Sequence, residues 1–429
     1  KGASAVVYEQ SGFEWNSQWQ VPHLAVAGLK DNAGPIAAAY YGFPAKSMLV
    51  IAATGTNGKT SCTQWIGQSI SATGKKTAVI GTLGITVFEN GNGGQPRATG
   101  YTTPDQVQLQ RNLAVLRDQG VACVAMEASS IGIDQGRLNG LGIDIALFTN
   151  FTRDHLDYHH DMASYKAAKR RLFDWPDSLK GKMAVTAYSR VRDTGAEVPL
   201  IVATDIRNRA QGTEFRVESP MGSARVKTQL IGLFNVSNVL GVLGVLLAAD
   251  IPWDTAIRAL GQLLPPPGRM QQMGGKERPL VVIDFAHTPD AMAKGLETLR
   301  RVADDRHGKL WCVFGCGGDR DHGKRPQMGS VSESADFVIV TSDNPRSEEP
   351  GRIIEEIVAG MKKRPQIYED RATAILQAVR QASKNDVIFL AGKGHEAYQE
   401  IRGVKLPFAD ADHVALALAS RIQNMKVAV

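Results

Sequence analysis

Lys59 and Thr60 close the run Ala53-Thr-Gly-Thr-Asn-Gly-Lys-Thr60, whose residue types suit a phosphate. Gly55 and Gly58, with Thr56 and Asn57 between them, let backbone N–H groups converge on phosphate oxygens. A helix starting here would point the positive end of its dipole at the same oxygens. A lysine at 59 can reach the β and γ phosphates of a bound nucleotide, and the Thr60 hydroxyl can bind Mg²⁺. The general phosphate-loop pattern asks for glycine where this chain has Ala53, so the loop is a variant of it. Two more groups could share the metal. Glu127 ends an apolar run, and His155 lies in Thr149-Asn-Phe-Thr-Arg-Asp-His-Leu-Asp-Tyr-His159. A carboxylate, an imidazole and the Thr60 hydroxyl make a possible Mg²⁺ set. A strand-end glutamate or a loop histidine is more often solvated; their place beside the phosphate loop makes them candidates.

Those residues meet only if strands deliver them to one edge. Met48–Ala53 is an apolar strand feeding the loop, and a helical pattern runs from about Ser61 to Thr73. Thr77–Ile80 is a further strand. Pro104 suits a first helical position, with the helix running to about Gln119. Val121–Met126 and Ile143–Phe148 are continuous apolar runs, as in a buried parallel sheet, and end in Glu127 and in Thr149-Asn150. This alternation predicts a doubly wound sheet that binds ligands at the carboxyl ends of its strands. Residues 183–229 are less regular, with Glu214–Val217 and Ala224–Thr228 alternating like antiparallel strands, and a helix follows Phe234-Asn235. Pro265-Pro-Pro-Gly268 cannot continue a helix and reads as a linker. Strands at Leu280–Asp284, Leu310–Phe314, Phe337–Thr341, Gln366–Tyr368 and Val387–Ala391 then restart the rhythm in a second doubly wound domain. Residues 1–47, with a helical patch near Ala37–Tyr41, read as the end of a domain too short to hold its own core.

A chain of 429 residues accommodates two to four domains. It has no run of 18 apolar residues to span a membrane, and no signal-peptide pattern. A net charge of +6 suits an anionic substrate, while the dispersal of the basic residues argues against nucleic acid. Cys312 and Cys316 lack zinc-ligand spacing and a second pair, so these, Cys62 and Cys123 are expected as free thiols in a reducing cytoplasm.

Ten blocks in order resemble the Mur ligase family, the ATP-dependent amide-forming enzymes of peptidoglycan precursor synthesis, with its consequences for cell shape and division. They are TGTNGKTS (54–61), MEASS (126–130), TNFTRDHLDYH (149–159), YKAAK (165–169), LFNVSN (233–238), GRM (268–270), DFAHTPDA (284–291), GCGGDRDHGKRP (315–326), DNPRSEEP (343–350) and GKGHEAYQ (392–399). The last three most resemble the branch that adds meso-diaminopimelate to UDP-MurNAc-L-Ala-D-Glu. The fold expected is α/β: a remnant of an N-terminal UDP-binding domain (1–47), a central P-loop ATPase-like doubly wound domain (48–267) and a C-terminal Rossmann-like α/β domain (268–429) that reads the acceptor amino acid. A cytoplasmic monomer is expected.

The resemblance carries over residue by residue. Lys59 and Thr60 would hold the ATP phosphates and Mg²⁺. Glu127 and His155 match metal ligands, and Lys169 matches the lysine that the family carbamylates. Asn235, Asn238, Arg269, Asp284 and His287 match the nucleotide set, and Thr102, Thr103, Ser129, Gln135 and Arg137 the positions that hold UDP-MurNAc-dipeptide. Asp343, Asn344 and Arg346 match the meso-diaminopimelate motif, with Arg320, Gly392 and Glu396 as further contacts. Arg346 offers a planar fork for a carboxylate and Glu396 suits a distal ammonium. Ile131 stands where the family has histidine, the family's uridine-holding segment would precede Lys1, and Ala184–Tyr188 lacks the Asn-Ala-Asp-Asp turn of the family. The alternatives are folylpolyglutamate synthase, opposed by DNPR and GKGHE, and a lysine-adding sibling, opposed by Arg346. A nucleotide-binding regulator without turnover is opposed by the Lys59, Glu127, His155 and Lys169 set.

Overall fold

Leu49–Thr54 is apolar and almost wholly buried because a strand covers it on either side. In this computed structural model, which describes residues 2–174, 184–185, 201–209 and 212–427, it lies inside a seven-stranded sheet. The order across the sheet is Asn92–Gly93, Gly84–Glu89, Thr77–Gly81, Cys123–Glu127, Leu49–Thr54, Ile145–Phe148 and Ala184–Val185. The last five run parallel, and Gly84–Glu89 is antiparallel to both of its neighbours. Register sets Ala53 opposite Glu127 and Thr54 opposite Phe148, so the loop, the carboxylate and the Thr149 segment leave the sheet at one edge.

The helix Lys59–Ser71 follows the loop and is buried along nearly its whole length. It packs against Leu233–Ala248, which is apolar on all sides because it is enclosed in the same core. The Trp65 indole N–H donates to Leu264 O at 2.8 Å, tying this helix to the start of the proline linker. The expected helix start at Pro104 is corrected. Asp105 is the cap, its carboxylate accepting from Val107 N and Gln108 N, and the helix is Gln106–Asp118. A side-chain acceptor for two orphan N–H groups outweighs the fit of proline to the first turn. Gly212–Ser219 pairs antiparallel with both Val202–Arg209 and Gly222–Thr228, as their alternation predicts. Most of the irregular stretch 183–200, including the Thr186–Tyr188 end of the missing turn, lies outside the described residues.

The second sheet has six strands: Gln271–Gly274, Leu280–Asp284, Val387–Ala391, Leu310–Phe314, Phe337–Val340 and Gln366–Ile367. All are parallel except the first. Separate apolar clusters cover its two faces. Residues 2–47 add a parallel pair, Val6–Glu9 with His23–Val26, and the helix Leu29–Tyr40, which packs on Gln106–Asp118. The four cysteines are buried and unpaired. Among the described residues, no helix is long and apolar enough to cross a membrane.

Candidate active site

Both sheets turn the carboxyl ends of their strands toward one cleft, and the phosphate loop forms its floor. Gly55 has φ 145°, and a Cβ there would lie 1.9 Å from Thr149 Oγ1, so the close passage of the two loops requires glycine. The loop is pinned from the next strand end. Asn57 N donates to Asn150 Oδ1 at 2.9 Å, and Thr149 Oγ1 and Asn150 Nδ2 donate to Asn57 O at 2.6 and 2.9 Å. Thr56 Oγ1 reaches Thr152 O and the Tyr165 hydroxyl.

Two lysines converge on this loop. Lys59 Nζ donates to Gly55 O and Thr56 O, both at 2.9 Å, and Lys169 Nζ donates to the same Gly55 O at 2.8 Å. Lys169 is buried, with its Nζ 4.4 Å from the centre of the Tyr165 ring. Burial first, and then the Lys59 charge, push the Lys169 amine well below the ordinary lysine value; burial also lowers Lys59.

Beside them, Thr60 Oγ1 lies 3.0 Å from both Glu127 oxygens and accepts from Arg269 Nη2 at 3.0 Å. Glu127 also accepts from Thr82 N at 2.8 Å and from Thr82 Oγ1 at 3.2 Å. This buried pair of oxygen donors suits Mg²⁺, which takes one or two protein oxygens and completes its shell with phosphate and water. His155 is the expected third ligand. His155 Nε2 faces Asp154 at 3.5 Å, and no cluster of three His, Cys, Asp or Glu side chains forms among the described residues. Asp154 is buried and faces His287 Nε2, also at 3.5 Å. Burial would raise its pKa, but the hydrogen bond and charge of His287, with His155 and Lys324, hold it well below the usual carboxylate range. Enclosure pushes His155 down to about 4 against the pull of Asp154.

A cleft of about 790 Å³, including its open mouth, runs from Asn57 and Gly58 past Asn235, Asn238 and Phe234 to Arg269 and Asp284. Asn238 Nδ2 donates to Asn235 Oδ1 at 3.2 Å, and Asn235 Nδ2 donates to Ile231 O at 2.9 Å, which fixes both amides. Arg269 lies over Phe285 at 4.6 Å, and Asp284 Oδ2 accepts from Met270 N at 2.7 Å. The expected nucleotide residues Asn235, Asn238, Arg269 and Asp284 thus line one cavity with the loop, while His287 stands nearer Asp154.

The expected dipeptide-substrate residues also group. Thr82 Oγ1 meets Thr102 Oγ1 at 3.1 Å. Thr103 Oγ1 bonds to Glu127 O and to Ser129 Oγ, and Ser129 caps the short helix Ser130–Asp134 through Gly132 N. Arg137 is held by Gln135 Oε1 and by Thr103 O, and stacks over Tyr101 at 4.7 Å.

At the second sheet, Asp343 and Asn344 are buried, and Gly392, with φ 113°, passes so close to Asp343 that a Cβ would lie 2.4 Å from Oδ2. Asn344 Nδ2 donates to Glu396 Oε2 at 2.8 Å. Arg346 donates to Gly318 O at 2.7 Å and lies 3.6 Å from Glu400. Arg320 stays exposed and donates to Asp319 O at 3.5 Å. Sequence reasoning missed Asp154, Tyr165, Phe285, Lys393 and Glu400. All but Glu400 sit inside quoted motifs; nothing in the chain marks Asp154 as the partner of His287, far away in sequence.

Residues 53–246 match the Mur ligase middle domain, and residues 268–394 match the Mur ligase glutamate ligase domain. The UDP-N-acetylmuramoyl-L-alanyl-D-glutamate–2,6-diaminopimelate ligase of Janthinobacterium sp. (strain Marseille) is 57% identical over 448 residues, covering 99% of this chain and 88% of the relative. The protein of the same name from Ralstonia nicotianae is 49% identical, covering 99% and 86%. A solved structure of a ligase of that name superposes with a TM-score of 0.64 at 36% identity, covering 93% of this chain and 84% of that one. Folylpolyglutamate synthase of Mycobacterium tuberculosis, complexed with ADP and AMPPCP, superposes at 0.66 with 19% identity, covering 85% and 92%, a likeness of fold alone.

Proposed function

This chain belongs to the Mur ligase family, and from that premise we propose that it uses ATP to join meso-diaminopimelate to the D-glutamyl γ-carboxylate of UDP-MurNAc-L-Ala-D-Glu. The observation that carries this is the Arg269–Thr60 contact at 3.0 Å, which sets the phosphate loop and the strand ends of the second sheet on either side of one cleft. Three domains, 1–47, 48–267 and 268–429, divide the work, with the Pro265–Gly268 linker as the hinge of closure.

An oxygen of the γ-carboxylate attacks the γ-phosphorus of ATP. An O–P bond forms, the bond to the ADP oxygen breaks, and an acyl phosphate results. Lys59 leaves its loop carbonyls to meet the charge that gathers on the transferring group. The acceptor amine then attacks the acyl carbon; the C–N bond forms, phosphate leaves with the C–O electron pair, and the amine gives up a proton. Positioning supplies most of the acceleration, and no side-chain nucleophile is required. Thr60 and Glu127 are the residues that would hold Mg²⁺, with His155 as the third candidate. The ion, when bound, neutralises charge on the phosphate oxygens.

Lys169 is read as the carbamylation site. Its amine is buried, shares one carbonyl with a second lysine, and is driven toward the neutral form that attacks CO₂. The N–C bond forms, a proton is released, and a cation becomes an anion among cations. Gly55, Thr56, Asn57 and Gly58 cradle the phosphates, and Asn235, Asn238, Arg269, Asp284 and His287 the rest of the nucleotide. Thr102, Thr103, Ser129, Gln135 and Arg137 hold the UDP-MurNAc-dipeptide, and Arg320, Asp343, Asn344, Arg346, Gly392 and Glu396 the acceptor. The protein works as a cytoplasmic monomer, a reading that the four unpaired thiols suit.

Phosphate release that requires ATP, UDP-MurNAc-L-Ala-D-Glu and meso-diaminopimelate together is the expected result. Equal turnover with L-lysine would refute the acceptor assignment, and turnover with a folate acceptor would move the chain to the synthase alternative.

A further inference from the structure

Lys393 follows Gly392 at the end of Val387–Ala391, and its side chain is fully buried. Its Nζ donates to Asn344 Oδ1 at 3.1 Å and to Glu396 Oε2 at 3.2 Å. Asn344 Oδ1 also accepts from Glu400 N at 2.9 Å, so with two donors on the oxygen the Asn344 NH₂ group is the end that faces Glu396. The donors to Glu396 among the described residues both sit on Oε2, which leaves Oε1 for an incoming group. A fully buried ammonium in contact with a half-buried carboxylate is costly to desolvate, and its one ionic partner among the described residues is the group that faces the cleft.

We propose that Lys393 is a positioning residue for the acceptor: its buried ammonium locks the Asn344 amide and keeps Glu396 charged to receive the amino group that is not consumed. The proposal rests on the reading that the acceptor is a diamino acid. The charges around Glu396 come from several elements. Burial, and then the charge of Asp343 beyond the end of Phe337–Val340, push Glu396 upward; Lys393 and the Asn344 amide pull it down. Arg371, paired with Asp410 at 2.7 Å, stands behind, and Arg269 faces it across the cleft. Of these cations Lys393 is the one in contact with the carboxylate. It is also near the rings of Tyr398 and Phe408, at 5.7 and 6.0 Å, so it is held by packing as well as by charge.

Initial rates of the full-length ligase with K393M, E396Q and the double variant test this. K393M is expected to raise the KM for meso-diaminopimelate roughly 10- to 100-fold, with the KM for ATP and for the UDP-linked substrate changing less than about twofold. The acceptor KM should also recover as pH rises, because Glu396 without its cation holds its proton to higher pH. In the E396Q background K393M should raise the acceptor KM far less than in wild type, because only its hold on Asn344 remains to be lost. K393R, which keeps the charge, should restore most of the affinity. A K393M enzyme whose three KM values rise together, whose pH profile is unmoved, or whose penalty is as large in E396Q as in wild type overturns the proposal. Should K393M fold poorly, the double variant, with both charges removed, still decides: an acceptor KM as far above that of E396Q as E396Q is above wild type overturns it. If the wild-type enzyme uses a different amino acid, the functional reading falls. The same variants assayed with that amino acid then decide the role of Lys393.

Discussion

The two halves of the cleft solve the problem of buried charge in opposite ways. Around the phosphate loop, Lys59, Lys169 and Arg269 lean on backbone carbonyls and one hydroxyl, and two of them share a single oxygen. Across the cleft, Lys393 touches Glu396, Arg346 lies beside Glu400, and Arg371 is bound to Asp410. In the first half the cations rest on neutral oxygens and can turn to an incoming anion without breaking an ion pair. The second is nearly self-neutral and must exchange its own partners for those of a zwitterion. Tight, charge-driven capture of a phosphate donor and selective capture of an amino acid call for these two arrangements.

Removing a cation from the loop should be the most damaging change. Lys59→Ala is expected to lower kcat on the order of 10³-fold, with the acceptor KM nearly unchanged; a rise confined to the acceptor KM would break the comparison. Lys169→Ala should come next, with a loss of about 10²-fold or more that a small carboxylic acid partly restores. Full activity in that variant would remove the carbamate from the scheme. The same lysine gives the ligand-free protein a pH dependence. The folded state holds its proton less tightly than the unfolded chain, so its stability should rise with pH from the depressed folded value up to the ordinary value of 10.5. Lys169→Met should flatten that rise in denaturant melts.

On the acceptor side, Arg346→Lys is expected to raise the KM for meso-diaminopimelate roughly tenfold and to narrow the preference over L-lysine, since a point charge replaces a planar fork. An unchanged preference would shift selectivity to Glu396 and its neighbours. The smallest effect belongs to the surface pair that spans the cleft, Arg153 with Asp321 at 3.3 Å. Arg153→Ala should alter kcat/KM by less than about twofold, because exposed ion pairs contribute little. A large change would mean that closure of the cleft is limiting.

The alternation of apolar strands and helices made both sheets legible, since buried parallel strands read as continuous runs, and the phosphate loop was legible because its glycines are a local requirement. Glu127 could be placed because it ends such a run. The contacts of Asp154 could not, because they depend on how a loop of one domain meets His287 of another. Lys393 was hidden for a similar reason: a lysine between two glycines looks solvated until Asn344 and Glu396 are seen to enclose it. The start of the helix Gln106–Asp118 was misplaced by one capping decision, Asp105 over Pro104.

The buried cysteines form a built-in clock. Burial pushes Cys123 and Cys316 up to about 12, and Cys62 and Cys312 higher still, so none carries a thiolate in neutral solution. Cys62 and Cys123 belong to the first sheet and its helix, Cys312 and Cys316 to the second. An alkylating reagent would therefore mark each half only when that half opens. The order in which the two pairs are labelled would time the opening of nucleotide and acceptor halves separately, in one tube and without a single substitution.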